Sequence, residues 1–151
     1  MVAPLRVGIA GLGTVGAEVV GLIERQKRAL SLRCGRGVRV VAVSARSKVK
    51  KRNVDLTGIA WAKNALAIAT DPKIDVFVEL MGGVGDPALS AIEAALRSGK
   101  SVVTANKALI AKHGSRLSAL AEKHGGALNY EAAVGAAIPV IKTLREGLAG
   151  T

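Results

Sequence analysis

Residues 5–16 read LRVGIAGLGTVG, and this stretch decides the fold. The apolar run Leu5–Ala10 is typical of a short buried strand, and from Val15 onward apolar side chains recur at helical spacing. A Gly-x-Gly-x-x-Gly pattern is a weak signal by itself. Placed between a strand and a helix, it predicts the phosphate-binding turn of a dinucleotide site.

Each glycine of this pattern has a separate task in such a turn. Gly11 permits a tight change of direction, Gly13 lets a pyrophosphate approach the backbone, and Gly16 lets the helix pack closely on the strand. The amides near Thr14 and Val15 are expected to point at the phosphates from the positive end of the helix dipole. The alternative is a glycine turn with a purely structural purpose.

Strand and helix patterns alternate along the rest of the chain. Further strands are predicted over Val38–Val43, Ile74–Leu80, Ser101–Thr104 and Ala127–Tyr130. Helices are predicted from Val15 into the basic run Arg25–Arg28, over Ala62–Ala69, from Pro87 to about Ser98, over Asn106–Lys123 with a break near Gly114, and from Pro139 to about Leu148. This alternation predicts an α/β fold of the Rossmann type, a doubly wound and mostly parallel sheet of at least five strands in an α/β/α arrangement. We expect residues 1–151 to form one nucleotide-binding domain, excised from a larger enzyme.

The composition indicates an anionic partner. Among 151 residues, 22 are Lys or Arg and 11 are Asp or Glu, a formal net charge of +11 that favours a phosphorylated cofactor, nucleic acid or a membrane surface. Nucleic acid is disfavoured because only 2% of the residues are aromatic and could stack on bases. No apolar run approaches the length of a membrane span. The single cysteine, Cys34, excludes an intrachain disulfide, so we expect a cytoplasmic protein.

The end of the second strand distinguishes NADP from NAD. An NAD site usually has Asp or Glu there, which accepts a hydrogen bond from the ribose 2′-OH. This chain has Ser44, Arg46 and Ser47 instead, followed by further lysines and Arg52. We therefore expect NADP, with Arg46 as the reader of the 2′-phosphate and the serines as hydroxyl donors, and NAD as the alternative cofactor. The competing interpretation is a solvated basic loop.

A lysine follows the fourth predicted strand almost at once. Lys107 would lie at the carboxyl edge of the sheet, where doubly wound folds bind their ligands. A cation there could stabilise negative charge on a carbonyl oxygen during hydride transfer, or pass a proton. A positive charge at the N-terminus of a helix is unfavourable because it opposes the helix dipole. The position of Lys107 therefore favours a functional role over that of an ordinary surface lysine.

Four segments together resemble the N-terminal nucleotide-binding domain of the homoserine dehydrogenase family: Gly8–Gly16, Glu79–Gly83, Val103–Ala111 and Tyr130–Ile141. The resemblance implies an oxidoreductase that interconverts L-homoserine and L-aspartate 4-semialdehyde with NAD(P), in threonine, methionine and isoleucine biosynthesis. It also implies that this chain is only the first third or so of such an enzyme. The substrate-binding and dimerising domain would be absent, so the chain alone is expected to bind cofactor and not to turn over substrate, and the full-length enzyme is expected to be a homo-oligomer.

The resemblance also assigns site residues. Lys107 matches the family lysine beside the nicotinamide and the substrate, and Met81 and Gly82 match the loop along the middle of the cofactor. A sodium site would use backbone carbonyls of Glu131, Val134, Ala136 and Ile138; a plain strand–helix turn is the competing interpretation. For Glu79, at the end of the third strand, a structural role is expected.

Two other functions stay open at this stage. One is the NADP-binding domain of a different amino-acid oxidoreductase, against which the segments at Thr104–Lys107 and Tyr130–Ala133 argue. The other is a non-catalytic dinucleotide-binding module.

Overall fold

Six parallel strands form the sheet in a computed structural model that describes residues 2–135 and 138–147, without the side chains of residues 145 and 146. The strands are β1 (Leu5–Ala10), β2 (Val38–Ser44), β3 (Ala60–Trp61), β4 (Val76–Glu79), β5 (Ser101–Thr104) and β6 (Leu128–Asn129). Their order is β3-β2-β1-β4-β5-β6, and each neighbouring pair is parallel. The predicted doubly wound α/β fold of the Rossmann type is confirmed.

Seven helices connect the described strands or follow them. They are α1 (Thr14–Arg25), α2 (Lys27–Cys34), α3 (Ala65–Thr70), α4 (Ala88–Arg97), α5 (Lys107–Lys123), α6 (Glu131–Val134) and α7 (Val140–Gly147). α5 continues through Gly114, so the predicted break there is wrong. The predicted end of the last helix, Leu148, lies outside the described residues.

Two apolar cores cover the two faces of the sheet, because side chains along a strand alternate between them. On one face, Phe77 and Val102 pack with α3, α4 and α5, and the buried alanines of α4 let that helix lie close to the strands. On the other face, Ile9 and Val43 pack with Val20 of α1. This arrangement gives the three expected layers.

Two short elements and one helix were not predicted. β3 is two residues long, and α6 is one turn of small residues, so neither carries a measurable periodicity. α2 extends to Cys34 and buries none of its side chains, so it has no apolar stripe that a sequence pattern could reveal. Local sequence patterns therefore do not reveal these three elements.

The carboxyl ends of four strands lie level with one another. Ala10 pairs in register with Ser44 of β2 and with Glu79 of β4, and Glu79 pairs with Thr104 of β5. The strand order reverses between β1 and β4, which is where open α/β sheets form their ligand crevice. The loops that follow these four strands therefore start around one crevice.

An ion pair joins β1 to the segment before β4 near the opposite edge of the sheet. The Arg6 side chain donates from Nε and Nη2 to the two carboxylate oxygens of Asp75, at 3.0 and 2.7 Å, and its backbone N–H donates to Oδ2 at 2.8 Å. These hydrogen bonds from Arg6 lower the pKa of Asp75 to about 2. The pair is about one-third exposed, so solvent screens part of this stabilisation.

Candidate functional site

The glycine turn after β1 is tight at two of its three glycines. Gly11 has a φ of 102°, and its N–H donates to the carbonyl of Ser44 at 2.9 Å. A Cβ on Gly11 would lie 2.5 Å from the carbonyl oxygen of Leu80, and one on Gly16 would lie 1.9 Å from the carbonyl oxygen of Gly11. The protein itself therefore requires glycine at both positions, Gly11 for the turn and Gly16 for helix–strand packing.

Gly13 differs from its neighbours, because nothing in the described protein requires glycine there. Its φ is −74°, which any residue adopts, and a Cβ at this position would meet no described atom within 4 Å. Gly13 caps α1, whose first regular hydrogen bond runs from the Ala17 N–H to the Gly13 carbonyl at 3.0 Å. Within the described ranges, the N–H groups of Thr14 and Val15 donate to no backbone carbonyl. An open space beside free first-turn amides is what a bound pyrophosphate needs.

A cleft of about 540 Å³ lies at the carboxyl edge beside this turn. Its described lining residues are Gly11, Ser44, Ala45, Arg46, Lys63, Asn64, Ala65, Met81, Gly82, Gly83 and Pro87. Five of the predicted cofactor residues are among them: Gly11, Ser44, Arg46, Met81 and Gly82. The remaining ones are not among the described lining residues: Gly13 to Gly16 follow Gly11 along the chain, Ser47 follows Arg46, and Lys107 begins α5.

The end of β2 presents positive charge to the cleft. Ser44 is buried, Arg46 is exposed, and the cleft lining contains no Asp or Glu among the described residues. Lys63, on the loop between β3 and α3, brings a second cation to the same cleft. The sequence alone did not single out Lys63, because its position depends on the unpredicted pairing of β3 with β2.

A buried carboxylate holds the loop after β4. Glu79 is fully buried, and its Oε1 accepts the backbone N–H groups of Met81 at 2.7 Å and Gly82 at 3.1 Å. Its Oε2 accepts the hydroxyl of Thr104 on β5 at 2.6 Å. Both oxygens are satisfied, so the expected structural role of Glu79 agrees with its contacts: it fixes the loop that lines the cleft.

The same network continues to the start of α5. The Thr104 hydroxyl oxygen accepts the Asn106 N–H at 3.0 Å, and the Asn106 side chain donates to the carbonyl of Gly83 at 2.7 Å while it accepts the Leu109 N–H at 3.1 Å. The Asn106 side chain therefore both caps α5 and connects the helix to the loop after β4. Lys107, the first residue of α5, is exposed and is held next to this junction.

The segment predicted to bind a cation has other hydrogen bonds. The carbonyl of Glu131 accepts the Gly135 N–H at 3.0 Å, and that of Ile138 accepts the Val140 N–H at 2.8 Å. The Glu131 carboxylate accepts the N–H groups of Ile141 and Lys142, at 3.0 and 3.2 Å, and so caps α7. Val134 is half-exposed, and Ala136 lies outside the described residues.

These contacts do not establish a fit for sodium, and the site stays a prediction. The described ranges also contain no cluster of three or more His, Cys, Asp or Glu side chains that could hold a metal. Over the same ranges, none of the helices combines the length and the apolar character needed to cross a membrane.

Comparison with known proteins identifies the family. Residues 11–131 match the family model described as homoserine dehydrogenase, NAD binding domain. The chain is 44% identical over 145 residues to the homoserine dehydrogenase of Pseudomonas aeruginosa, covering 96% of this chain and 33% of that protein.

Solved structures agree with this match. A homoserine dehydrogenase from Thiobacillus denitrificans superposes with a TM-score of 0.88 at 40% identity, over 98% of this chain and 34% of that one. A hyperthermophilic archaeal homoserine dehydrogenase in complex with NADPH superposes with a TM-score of 0.77 at 27% identity, over 98% of this chain and 50% of that one. The chain spans about a third of the length of the curated relatives it matches. It belongs to the NAD-binding domain family of the homoserine dehydrogenases.

Proposed function

We propose that this chain is the cofactor-binding part of an enzyme that interconverts L-homoserine and L-aspartate 4-semialdehyde, and that it prefers NADP to NAD. The observation that carries the proposal is the open position at Gly13 beside the free amides of Thr14 and Val15. This cradle suits a pyrophosphate, because the space and the donors have no described partner within the protein. When bound, the dinucleotide supplies or accepts the hydride of the reaction.

The preference for NADP rests on charge at the end of β2. Arg46 and Lys63 both line the cleft, and no described carboxylate lies there to accept a ribose 2′-OH or to repel a phosphate. An arginine can bind a phosphate through two parallel, charge-assisted hydrogen bonds. Ser44 and Ser47 belong to the same proposal as hydroxyl donors. The archaeal relative described as a complex with NADPH supports it at the level of the fold.

Lys107 is the proposed catalytic residue. Addition of hydride to the aldehyde builds negative charge on its oxygen, and an ammonium group lowers the energy of that charge or delivers the proton. The network from Glu79 through Thr104 to Asn106 supports this role, since it fixes the start of α5 relative to the cleft loop. The amino-acid pocket, a second catalytic lysine and the contacts of a homo-oligomer are proposed to reside in the part of the relatives that this chain does not span. The proposed compartment is the cytoplasm, where the exposed, unpaired Cys34 would stay reduced.

Cofactor titration tests the proposal. Trp61 is the single tryptophan, and it ends β3 two residues before Lys63 of the cleft lining, so energy transfer from it to a reduced nicotinamide should report binding. The wild-type chain should bind NADPH more tightly than NADH, and Arg46→Ala should reduce that preference by roughly fivefold or more, the factor for loss of one net hydrogen bond. Arg33→Ala removes the same charge from the exposed end of α2 and should leave the preference unchanged. A chain that binds neither dinucleotide contradicts the proposed function, and an unchanged preference in Arg46→Ala removes that residue as the reader.

A further inference from the structure

Arg52 makes more contacts within the chain than any other cation of the basic loop, residues 45–52. Its Nε donates to the carbonyl of Leu12 at 2.9 Å, its Nη1 to that of Lys50 at 2.8 Å, and its Nη2 to that of Ser47 at 2.6 Å. Its Cζ also lies 5.4 Å from the centroid of the Trp61 ring. All three nitrogens of the guanidinium are therefore engaged by the protein.

These contacts connect two loops that the proposed function assigns to different parts of the cofactor. Leu12 lies between Gly11 and Gly13 in the turn proposed for the pyrophosphate, and Ser47 follows Arg46 in the loop proposed for the 2′-phosphate. Leu12 and Arg52 are 40 positions apart in the sequence, so their hydrogen bond is a tertiary contact. It adds to the Gly11–Ser44 hydrogen bond that already joins the ends of β1 and β2, and it extends the link to Ser47, with Trp61 of β3 beside the guanidinium.

The contacts also distinguish Arg52 from Arg46. Arg46 lines the cleft and is exposed, and within the described ranges its side chain donates no hydrogen bond to the protein, so its guanidinium is available to a ligand. Arg52 is half-buried and spends three of its five N–H groups on carbonyl oxygens of the chain. Arg52 is therefore poorly placed to bind a phosphate itself and well placed to hold the glycine turn and the loop after β2 in position.

We infer that Arg52 is a positioning residue for the dinucleotide cleft: by joining the Leu12 carbonyl to the Ser47 carbonyl, it sets the affinity for adenine dinucleotides as a class, whether or not they carry a 2′-phosphate. This inference rests on the proposed function and deepens it. In this proposal, Arg52 controls how tightly either dinucleotide binds, and Arg46 controls the preference for NADP over NAD. A lysine cannot replace Arg52, because one ammonium group cannot reach carbonyls on two sides while lying flat against a ring.

The test is Arg52→Lys, which keeps the charge and removes the planar fork. Kd values for NADPH and NADH are measured through Trp61 in the full 151-residue chain, and thermal unfolding verifies that the variant is folded. Both Kd values should rise by a similar factor, roughly fivefold or more, as for one lost net hydrogen bond. The NADPH to NADH ratio should stay within about twofold of wild type, since additive effects at separate groups leave a ratio unchanged. Arg33→Lys is the matched control and should change neither Kd.

Other outcomes overturn the inference in distinguishable ways. A loss confined to NADPH would make Arg52 a direct reader of the 2′-phosphate, and unchanged Kd values for both would show that the link between the loops is dispensable. If Arg52→Lys unfolds, Trp61→Phe takes its place, with binding followed by the emission of the bound reduced nicotinamide. It removes part of the ring under the guanidinium and should also weaken both dinucleotides equally; an unequal effect overturns the inference. A wild-type chain that binds neither dinucleotide contradicts the proposed function before any variant is compared.

Discussion

At Gly13, adding a single methyl group should change the affinity for the cofactor without changing the stability of the fold. In Gly13→Ala, the new Cβ meets no described protein atom within 4 Å, and the φ of −74° suits alanine. Restricting the unfolded chain stabilises such a variant by about 0.4–1 kcal/mol, whereas alanine is a poorer helix N-cap than glycine by roughly 0.5 kcal/mol. The two effects offset, so the free energy of unfolding should stay within about 0.5 kcal/mol of wild type.

Cofactor affinity should respond very differently, because the methyl group occupies the space proposed for the pyrophosphate. Forcing a methyl group into a filled site costs roughly 1–3 kcal/mol, which corresponds to a Kd for NADPH about 5 to 150 times higher. Gly16→Ala is the opposite case: its Cβ would lie 1.9 Å from the Gly11 carbonyl oxygen, so it should lower the free energy of unfolding by about 1–3 kcal/mol or more.

Two measurements decide between these expectations. Urea unfolding gives the free energies for both variants, and titration of NADPH against Trp61 emission gives the affinities. Wild-type affinity in Gly13→Ala would refute the assignment of the pyrophosphate to this turn. Destabilisation of Gly13→Ala as large as that of Gly16→Ala would refute the argument that the protein leaves this position open.

Three further outcomes are expected. Asp75 has a pKa of about 2 against 3.8 in an ordinary environment, so its pair with Arg6 stabilises the fold above pH 4, and this stabilisation is lost as the pH falls towards 2. Because the pair is one-third exposed, solvent screens part of its contribution. In urea unfolding, the free energy of unfolding of Asp75→Asn should therefore be about 1 kcal/mol below that of wild type at pH 7, and the difference should disappear near pH 2. Thr104→Val leaves a buried oxygen of Glu79 without its donor, and the same denaturation assay should show a loss of about 1–3 kcal/mol, with Thr104→Ser close to wild type. In the full-length enzyme, Lys107→Ala should lower kcat for homoserine oxidation by roughly 100-fold or more, while the Kd for NADPH stays within about twofold of wild type. An unchanged kcat would show that Lys107 is an ordinary surface lysine.

Local patterns predicted the elements that carry strong periodicity or glycine signals. The bounds of β1 and β5 agree with prediction. The bounds of α5 differ only at its capping residue, Asn106, although the helix lacks the break predicted near Gly114. β3 and α6 escaped prediction because two to four residues carry no pattern. Helix and strand signals therefore sufficed for the layers of the fold and for the location of the glycine turn.

The interactions that organise the candidate site were beyond the reach of sequence patterns. Glu79 and Thr104 are 25 residues apart, and Arg52 lies 40 residues from Leu12, so both hydrogen bonds depend on how the strands are ordered in the sheet. From sequence, Arg52 was one more cation in a basic loop. Its hydrogen bonds to the carbonyls of Leu12 and Ser47 become visible only once the loops are placed.

The Arg6–Asp75 pair and the level row of strand ends lie at opposite edges of the same sheet. Along β1, Arg6 and Ala10 are four residues apart, which is roughly 13 Å at the rise of a strand. Substitutions at that separation, without shared partners, usually combine additively. If Arg46 has its proposed role, an engineer could raise the thermal stability of this domain by reinforcing the edge at Arg6 and independently change the coenzyme preference by rebuilding the loop at Arg46.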